Sequence, residues 1–200
     1  MNKRLMQLLS LCLGLLVLSG CASYVSVSAT RFHEFEASNP PKITNFQFTQ
    51  AIQTSDDLEQ RQYARVISRT LSELGISELK GSSYLLEFKT SAPKSILQSI
   101  EPIMEPMFFC TGVGVNRFCG PRNIGAQGAR QVSYEIYRNT LEIEFLDAKT
   151  GKRIWQAKAE APTPGEPAIL NVLPYLVRTV MESFPGESGK LIRLNYPLPD

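Results

Sequence analysis

Four cysteines and one histidine are the side chains of this chain best suited to covalent or metal chemistry. The cysteines are Cys12, Cys21, Cys110 and Cys119, and the histidine is His33. A catalytic triad needs a histidine next to its nucleophile and its carboxylate. A structural zinc site needs four ligands grouped together, usually Cys and His. With one histidine, we expect no metal, no cofactor and no enzymatic activity, and we expect His33 to be structural or exposed.

Cys21 follows a segment with the properties of a secretory signal. Lys3 and Arg4 precede an apolar run over residues 5–18, which is shorter than the roughly 20 residues of a membrane-spanning helix. The run ends in Leu18-Ser19-Gly20-Cys21, which resembles the lipobox of bacterial lipoproteins. The resemblance implies a signal peptide over residues 1–20, cleavage before Cys21 and diacylglycerol on its sulfur. The alternative is an ordinary signal peptide with a chance cysteine.

The residues around the cleavage point also bear on location and charge. Ala22 stands where an aspartate would resemble an inner-membrane retention signal, so we expect the periplasmic face of the outer membrane, with the inner membrane as the alternative. Loss of Lys3 and Arg4 leaves 21 − 2 = 19 basic residues against 19 acidic ones. A nucleic-acid binder would carry a basic excess, so we expect no nucleic-acid partner.

Cys110 and Cys119 are the cysteines that remain once Cys12 is removed and Cys21 is lipidated. In an oxidising compartment such a pair favours a disulfide, which would contribute roughly 2–3 kcal/mol by restricting the unfolded chain. Unpaired or metal-binding thiols are the alternative.

The periodicity of apolar residues predicts one α+β domain over residues 31–200, after a lipid-anchored start and first strand over residues 21–30. We expect a largely antiparallel sheet with two helices packed on one face, in the order β-β-α-β-β-β-α. The predicted strands cover residues 23–35, with a bulge near Arg31, and residues 43–49, 84–89, 141–146 and 153–159. The last two form a hairpin that turns at residues 147–151, and the tail over residues 190–199 includes a possible edge strand. One helix follows a cap at Thr54 or Ser55. The other covers residues 167–184 and has a predicted buried face: Ile169, Leu173, Leu176, Val177 and Val180.

Two further features allow more than one interpretation. Arg61, Arg65 and Arg69 are spaced by four on the first helix, as in a basic patch or a solvated helix face. Trp155 lies in a regular strand, so we expect it in the core rather than on a binding surface.

The segment 91–131 is predicted to be a long irregular insertion. It is rich in apolar residues, including Ile96, Leu97 and Ile100, which argues against disorder. Long loops of this kind are usually functional. It forms either an extension packed on its own domain or a partner-docking surface, for which the candidate residues are Met104, Met107, Phe108, Phe109 and Phe118.

Several segments together resemble the domain of unknown function 4136 family of small bacterial lipoproteins. They are Thr30-Arg31-Phe32-His33, Tyr63-Ala64 followed by Leu71 to Gly75, the stretch from Leu146 to Trp155, and Phe184-Pro185-Gly186-Glu187-Ser188-Gly189. The resemblance covers most of the mature chain and implies a fold and a location, but no activity, catalytic residues or cofactor.

These observations predict a membrane-anchored interaction module of the cell envelope, exposed to the periplasm. Its expected partners are the membrane, through lipid on Cys21, and an envelope protein. A carrier of an apolar ligand or lipid is the alternative, and an envelope hydrolase is the least favoured reading.

Overall fold

A computed structural model describes residues 24–35, 40–102, 107–111, 118–122 and 129–198. Ten strands are assigned in these ranges: β1 (Tyr24–His33), β2 (Asn45–Phe48), β3 (Ser77–Glu78), β4 (Tyr84–Ser91), β5 (Lys94–Pro102), β6 (Met107–Thr111), β7 (Phe118–Arg122), β8 (Ala129–Asp147), β9 (Arg153–Pro164) and β10 (Ile192–Pro197). The helices are α1 (Gln50–Gln53), α2 (Leu58–Glu73) and α3 (Ile169–Met181). Cys21 and the predicted signal lie outside the described residues.

Eight strands form one sheet in the order β10-β1-β9-β8-β4-β2-β3, and β5 pairs with β8 beside this path. Strand β2 is parallel to both β3 and β4, whereas the other pairs are antiparallel. Strands β6 and β7 form a separate two-stranded antiparallel ribbon. The tail predicted as an edge strand is β10, at one end of the sheet order.

The predicted fold class is wrong. In place of a largely antiparallel sheet with two helices in the order β-β-α-β-β-β-α, the structure is mostly sheet, its eight-stranded sheet is mixed, and it has three helices in the described ranges. Helices α1 and α2 return the chain after β2, so that β4 enters parallel to β2. The segment predicted to be irregular supplies β5, β6, β7 and the start of β8.

The core lies between one face of the sheet and the longer helices. Alternate residues of the strands point into it, because successive side chains in a strand face opposite sides. Leu141, Ile143 and Phe145 of β8 are fully buried in this way. The apolar face predicted for the last helix is confirmed, since the five residues predicted to form it are all buried: Ile169, Leu173, Leu176, Val177 and Val180.

Helix α2 begins one residue after its cap, Asp57. The Asp57 carboxylate accepts hydrogen bonds from the backbone N–H groups of Glu59, at 2.9 Å, and Gln60, at 3.4 Å. These are two of the N–H groups that a helix leaves unpaired at its start. The predicted cap at Thr54 or Ser55 is therefore wrong, because Asp57 stands nearer the first helical residue.

The hairpin between β8 and β9 turns at residues 147–151, as predicted. The Asp147 carboxylate accepts hydrogen bonds from the backbone N–H of Thr150, at 2.8 Å, from the Thr150 hydroxyl, at 2.9 Å, and from the backbone N–H of Lys149, at 3.0 Å. The bonds from Thr150 above all hold the pKa of Asp147 below its ordinary value. Gly151 takes the positive φ of 69° that this turn requires.

Trp155 is fully buried in the core, which confirms the interpretation from sequence. Its ring lies 5.6 Å from that of Phe145 and 5.3 Å from that of Phe184, measured between centroids. The indole N–H donates a hydrogen bond of 3.2 Å to the Pro185 carbonyl. The strand side chain therefore joins the sheet to the segment that follows α3.

Arg31 occupies an inward position of β1 and is only 3% exposed. The strand pairs with β9 in one unbroken register from Ser28 to His33, so the predicted bulge near Arg31 is wrong. The guanidinium donates hydrogen bonds to the carbonyls of Val180 and Glu182, at the end of α3. Burial lowers the pKa of Arg31, an effect that the nearby carboxylates oppose. The charge is tolerated inside because it satisfies helix carbonyls that have no partner within the helix.

Candidate interaction arm

A two-stranded ribbon leaves the sheet where β9 ends. Strand β8 pairs with β9 from Ile136 onward and with β4 from Thr140 onward. Residues 129–135 of β8 therefore have β5 as their only paired strand in the described part of the chain. The register of β5 and β8 runs unbroken from Lys94 opposite Tyr137 to Pro102 opposite Ala129. We call residues 94–102 and 129–137 the arm.

The arm is regular although the sequence predicts an irregular segment. Strands show period-two alternation when one face is buried and the other is solvated. Ile96 and Leu97 are adjacent and point to opposite faces of the arm, and both are exposed. Because side chains on both faces of β5 are exposed, this strand of the arm lacks the alternation by which a strand is recognised.

Apolar side chains are exposed on both faces of the arm. Ile96 and Ile100 share one face and are 67% and 76% exposed. On the other face Leu97 lies directly opposite Tyr134, and these two are 50% and 41% exposed. Single exposed apolar residues are common, but a group of four on one projecting element is typical of a contact surface.

The charges of the arm are paired with one another. Lys94 lies 2.6 Å from Glu135, and Arg130 lies 3.2 Å from Glu101. The Tyr134 hydroxyl also donates a hydrogen bond to Glu101. The arm thus carries two positive and two negative side chains, so it has no net charge with which to attract an ionic partner.

The candidate partner residues from the sequence lie between the two strands of the arm along the chain. Met104 is outside the described residues. The backbones of the others are on the β6–β7 ribbon, in register with one another, but their side chains are outside what the structure describes: Met107, Phe108, Phe109 and Phe118. The arm residues Ile96, Leu97 and Ile100 belong to the apolar set noted from the sequence, whereas Tyr134 was missed. The alternation of Val132, Tyr134 and Ile136 could have found it.

Cys110 and Cys119 are directly opposite each other on β6 and β7. Directly opposed residues of an antiparallel pair have Cα atoms about 4.5–5.5 Å apart, within the range that a disulfide spans. The backbone register is therefore compatible with the predicted bond.

Other groups with possible chemistry have structural partners. The His33 Nδ1 accepts a hydrogen bond of 3.2 Å from the backbone N–H of Phe35, which leaves the proton on Nε2 to be donated to the Gly186 carbonyl at 2.8 Å. Glu142 and Glu144 form ion pairs with the neighbouring strand, at 3.1 Å and 2.6 Å. No group of three or more His, Cys, Asp or Glu residues suited to a metal ion occurs among the described residues.

Arg61, Arg65 and Arg69 are exposed and line one surface groove of about 660 Å³, together with Lys80. The groove lies between α2 and the β2–β3 edge of the sheet. No ion pair in the described ranges involves these three arginines.

Within the described ranges, no helix is both long enough and apolar enough to cross a bilayer. The family model called domain of unknown function (DUF4136) matches residues 26–186, which confirms the resemblance seen in the sequence. No curated protein sequence matches the chain.

The solved structures that match the chain are remote. One is a PDZ domain protein from Parabacteroides distasonis, at 11% identity and a TM-score of 0.42; the match covers 87% of this chain and 39% of that one. The chain thus spans well under half the length of that protein. Two others are PelC dodecamers from Paraburkholderia phytofirmans, the first of them a single-residue variant, at 13% and 12% identity and TM-scores of 0.39 and 0.37. They cover 77% and 76% of this chain, and 93% and 94% of their own.

Proposed function

We propose, since the chain belongs to the family of domain of unknown function DUF4136, that it is a lipid-anchored, non-enzymatic interaction module of the bacterial envelope. It is held by lipid on Cys21 at the periplasmic face of the outer membrane, and it makes its contacts through the arm. The observation that carries this proposal is the exposure of Ile96, Leu97, Ile100 and Tyr134 on both faces of an element that projects from a filled core.

The arm contributes little to the stability of the domain that carries it. An isolated two-stranded ribbon is marginally stable in water, and aliphatic side chains stabilise a fold only when they are removed from water. Isoleucine favours the strand conformation, but the polar, β-branched Thr does so as well and would expose less apolar surface at positions 96 and 100. Their aliphatic character is explained if another component of the envelope covers them.

A carrier of an apolar ligand has less support. Such a carrier needs an apolar cavity of some hundreds of Å³. In the described ranges the space between sheet and helices is filled by fully buried side chains, such as Leu86, Phe145 and Trp155. Two surface grooves, of about 730 and 660 Å³, have charged residues in their walls. A third, of about 440 Å³, has no charged residue in its wall, but it is open at the surface, where Tyr24 is 64% exposed.

We also propose that Cys110 and Cys119 form a disulfide that closes the β6–β7 ribbon. Their opposed positions support it, as does the oxidising compartment. Intact mass spectrometry of the mature protein should show alkylation of these cysteines only after reduction. Alkylation of both without reductant would contradict the bond.

The anchor is tested by metabolic labelling with an alkyne-bearing fatty acid. The wild-type protein should carry the label and fractionate with the outer membrane. The Cys21→Ser variant should remain an unlabelled precursor. Labelling or normal processing of that variant would refute the proposed lipidation site.

The arm is tested by a photoreactive amino acid placed at position 96 or 100 in cells. A discrete adduct from both positions is expected, analysed by mass for protein or lipid. Phe32 is a matched control, because it is 50% exposed on the uncovered face of the sheet, away from the arm. The same adducts from position 32, or none from the arm, would refute the arm as the contact surface.

A further inference from the structure

We propose that the component that covers the arm is the lipid bilayer itself, so that the arm is a second membrane contact beside the lipid on Cys21. The inference rests on the proposed function and names the partner of the arm. It follows from the direction of the arm, from its length and from the chemistry of its exposed side chains.

The arm points toward the end of the sheet at which β1 begins. Strand β1 is antiparallel to β9, β9 is antiparallel to β8, and β8 is antiparallel to β5. Strand β5 therefore runs opposite to β1, that is, toward the end of the sheet at which Tyr24 begins β1. Because Cys21 precedes Tyr24 by three residues, a lipid on Cys21 is tethered to this end of the domain.

The register also shows how far the arm extends. Ser28 of β1 and Thr140 of β8 both pair with Glu160 of β9, so they lie at the same level of the sheet. From this level β1 continues four residues to Tyr24, whereas β8 continues eleven residues to Ala129. The arm therefore extends seven residues farther, or about 23 Å at about 3.3 Å per residue.

The tether between the domain and the lipid is shorter than this extension. Cys21 precedes Tyr24 by three residues, which span at most about 11 Å when fully extended. With the Cys21 lipid inserted in the membrane, the start of β1 lies within about 11 Å of the bilayer surface. An arm that reaches about 23 Å farther than Tyr24 at this end of the sheet then meets the bilayer. A protein partner that approaches from the periplasm would contact the opposite end of the domain first.

The side chains of the arm suit the interfacial region of a bilayer. Ile96, Ile100 and Leu97 present aliphatic groups to both sides, and Tyr134 adds an aromatic ring with a polar end, the kind of residue enriched at membrane–water interfaces. Because the four charges of the arm form two ion pairs, the contact is apolar rather than electrostatic. Binding should then depend little on salt or on anionic lipid.

The experiment is vesicle flotation with the mature chain, residues 21–200, carrying Cys21→Ser so that no lipid anchor contributes. The vesicles are phosphatidylethanolamine and phosphatidylcholine, with or without anionic phosphatidylglycerol, at low and at high salt. The Cys21→Ser chain with no further substitution should float with both kinds of vesicle at both salt concentrations. The double variant Ile96→Ser with Ile100→Ser should partition at least about tenfold more weakly, since it removes two exposed aliphatic groups.

The matched control is Phe32→Ser with Leu79→Ser. These residues are 50% and 55% exposed and lie away from the arm, so flotation should be unchanged. Flotation that is absent, that depends on anionic lipid, or that falls equally in both double variants would overturn the bilayer as partner. If flotation fails but position 100 crosslinks to a discrete protein in cells, the arm still acts as an interaction surface and the proposed function stands. If neither flotation nor crosslinking is observed, the arm is neither a membrane contact nor an interaction surface, and both proposals are wrong.

Discussion

Replacement of the same residue type by alanine, once in the arm and once in the core, separates side chains that support the fold from those that are free to bind. Ile100 and Ile143 are both strand isoleucines that neighbour or lie on β8. Ile100 is 76% exposed, whereas Ile143 is fully buried between Phe88 and Ala157 on the adjoining strands.

The expected losses of stability follow from burial. Full burial of an isoleucine side chain is worth about 1.5–3 kcal/mol, so the quarter of Ile100 that is covered contributes roughly 0.5 kcal/mol. Both alanine variants also lose β-propensity, by up to about 1 kcal/mol. Ile143→Ala leaves a cavity as well and should cost about 2–5 kcal/mol. We therefore expect Ile143→Ala to lower the free energy of unfolding by about 2 kcal/mol more than Ile100→Ala does.

The assay is urea unfolding of the mature Cys21→Ser chain, followed by Trp155 fluorescence, because this tryptophan is fully buried. The slope of the transition should be the same in both variants, which would show that the native and unfolded states are comparable. If Ile100→Ala lowered the free energy of unfolding by more than about 2 kcal/mol, the arm would have to pack on its own domain. Ile100 would then not be free to bind a partner.

Three further substitutions test local structure. Asp57→Ala should cost about 1 kcal/mol in urea unfolding, since it removes the cap of α2; no loss would contradict the cap. Gly186→Ala should destabilise more than Gly165→Ala, because both have positive φ but only at Gly186 would the new Cβ collide with the guanidinium of Arg31; equal losses would contradict this contact. The lowered pKa of Asp147 stabilises the fold above the ordinary aspartate pKa of about 3.9, and this contribution is lost as pH falls through the folded-state pKa. Asp147→Asn should therefore flatten the acid end of the stability profile, and an unchanged acid limb would contradict it.

Elements that bury one face could be predicted from the sequence. The apolar face of α3, the hairpin turn that ends at Gly151, and the burial of Trp155 each leave a periodic or turn-specific pattern. The order of the strands could not be predicted. The parallel pairing of β2 with β4 depends on how the helices pack on the sheet, and the local sequence of β2 does not specify it.

The strand β5 of the arm and the regular strand at Arg31 could not be predicted from the periodicity of the sequence. The arm has both faces exposed, so Ile96 and Leu97 stand side by side and give no strand signal. Arg31 suggests an interruption because a charged residue stands in an inward position of β1. Its partners, the carbonyls of Val180 and Glu182, are about 150 residues away in sequence. Contacts of that separation leave no mark in a single sequence.

The proposed contact between the arm and the bilayer is tested most directly by measuring how deeply the arm lies in the bilayer when the protein is lipidated. A fluorophore at position 100 and, separately, at position 32 is measured in vesicles that contain lipids with quenching groups at the headgroup or along the acyl chain. We predict strong quenching at position 100 by quenchers near the interface, and little at position 32, which lies on the body of the domain. Equal, weak quenching at both positions would place the arm in water and contradict the account.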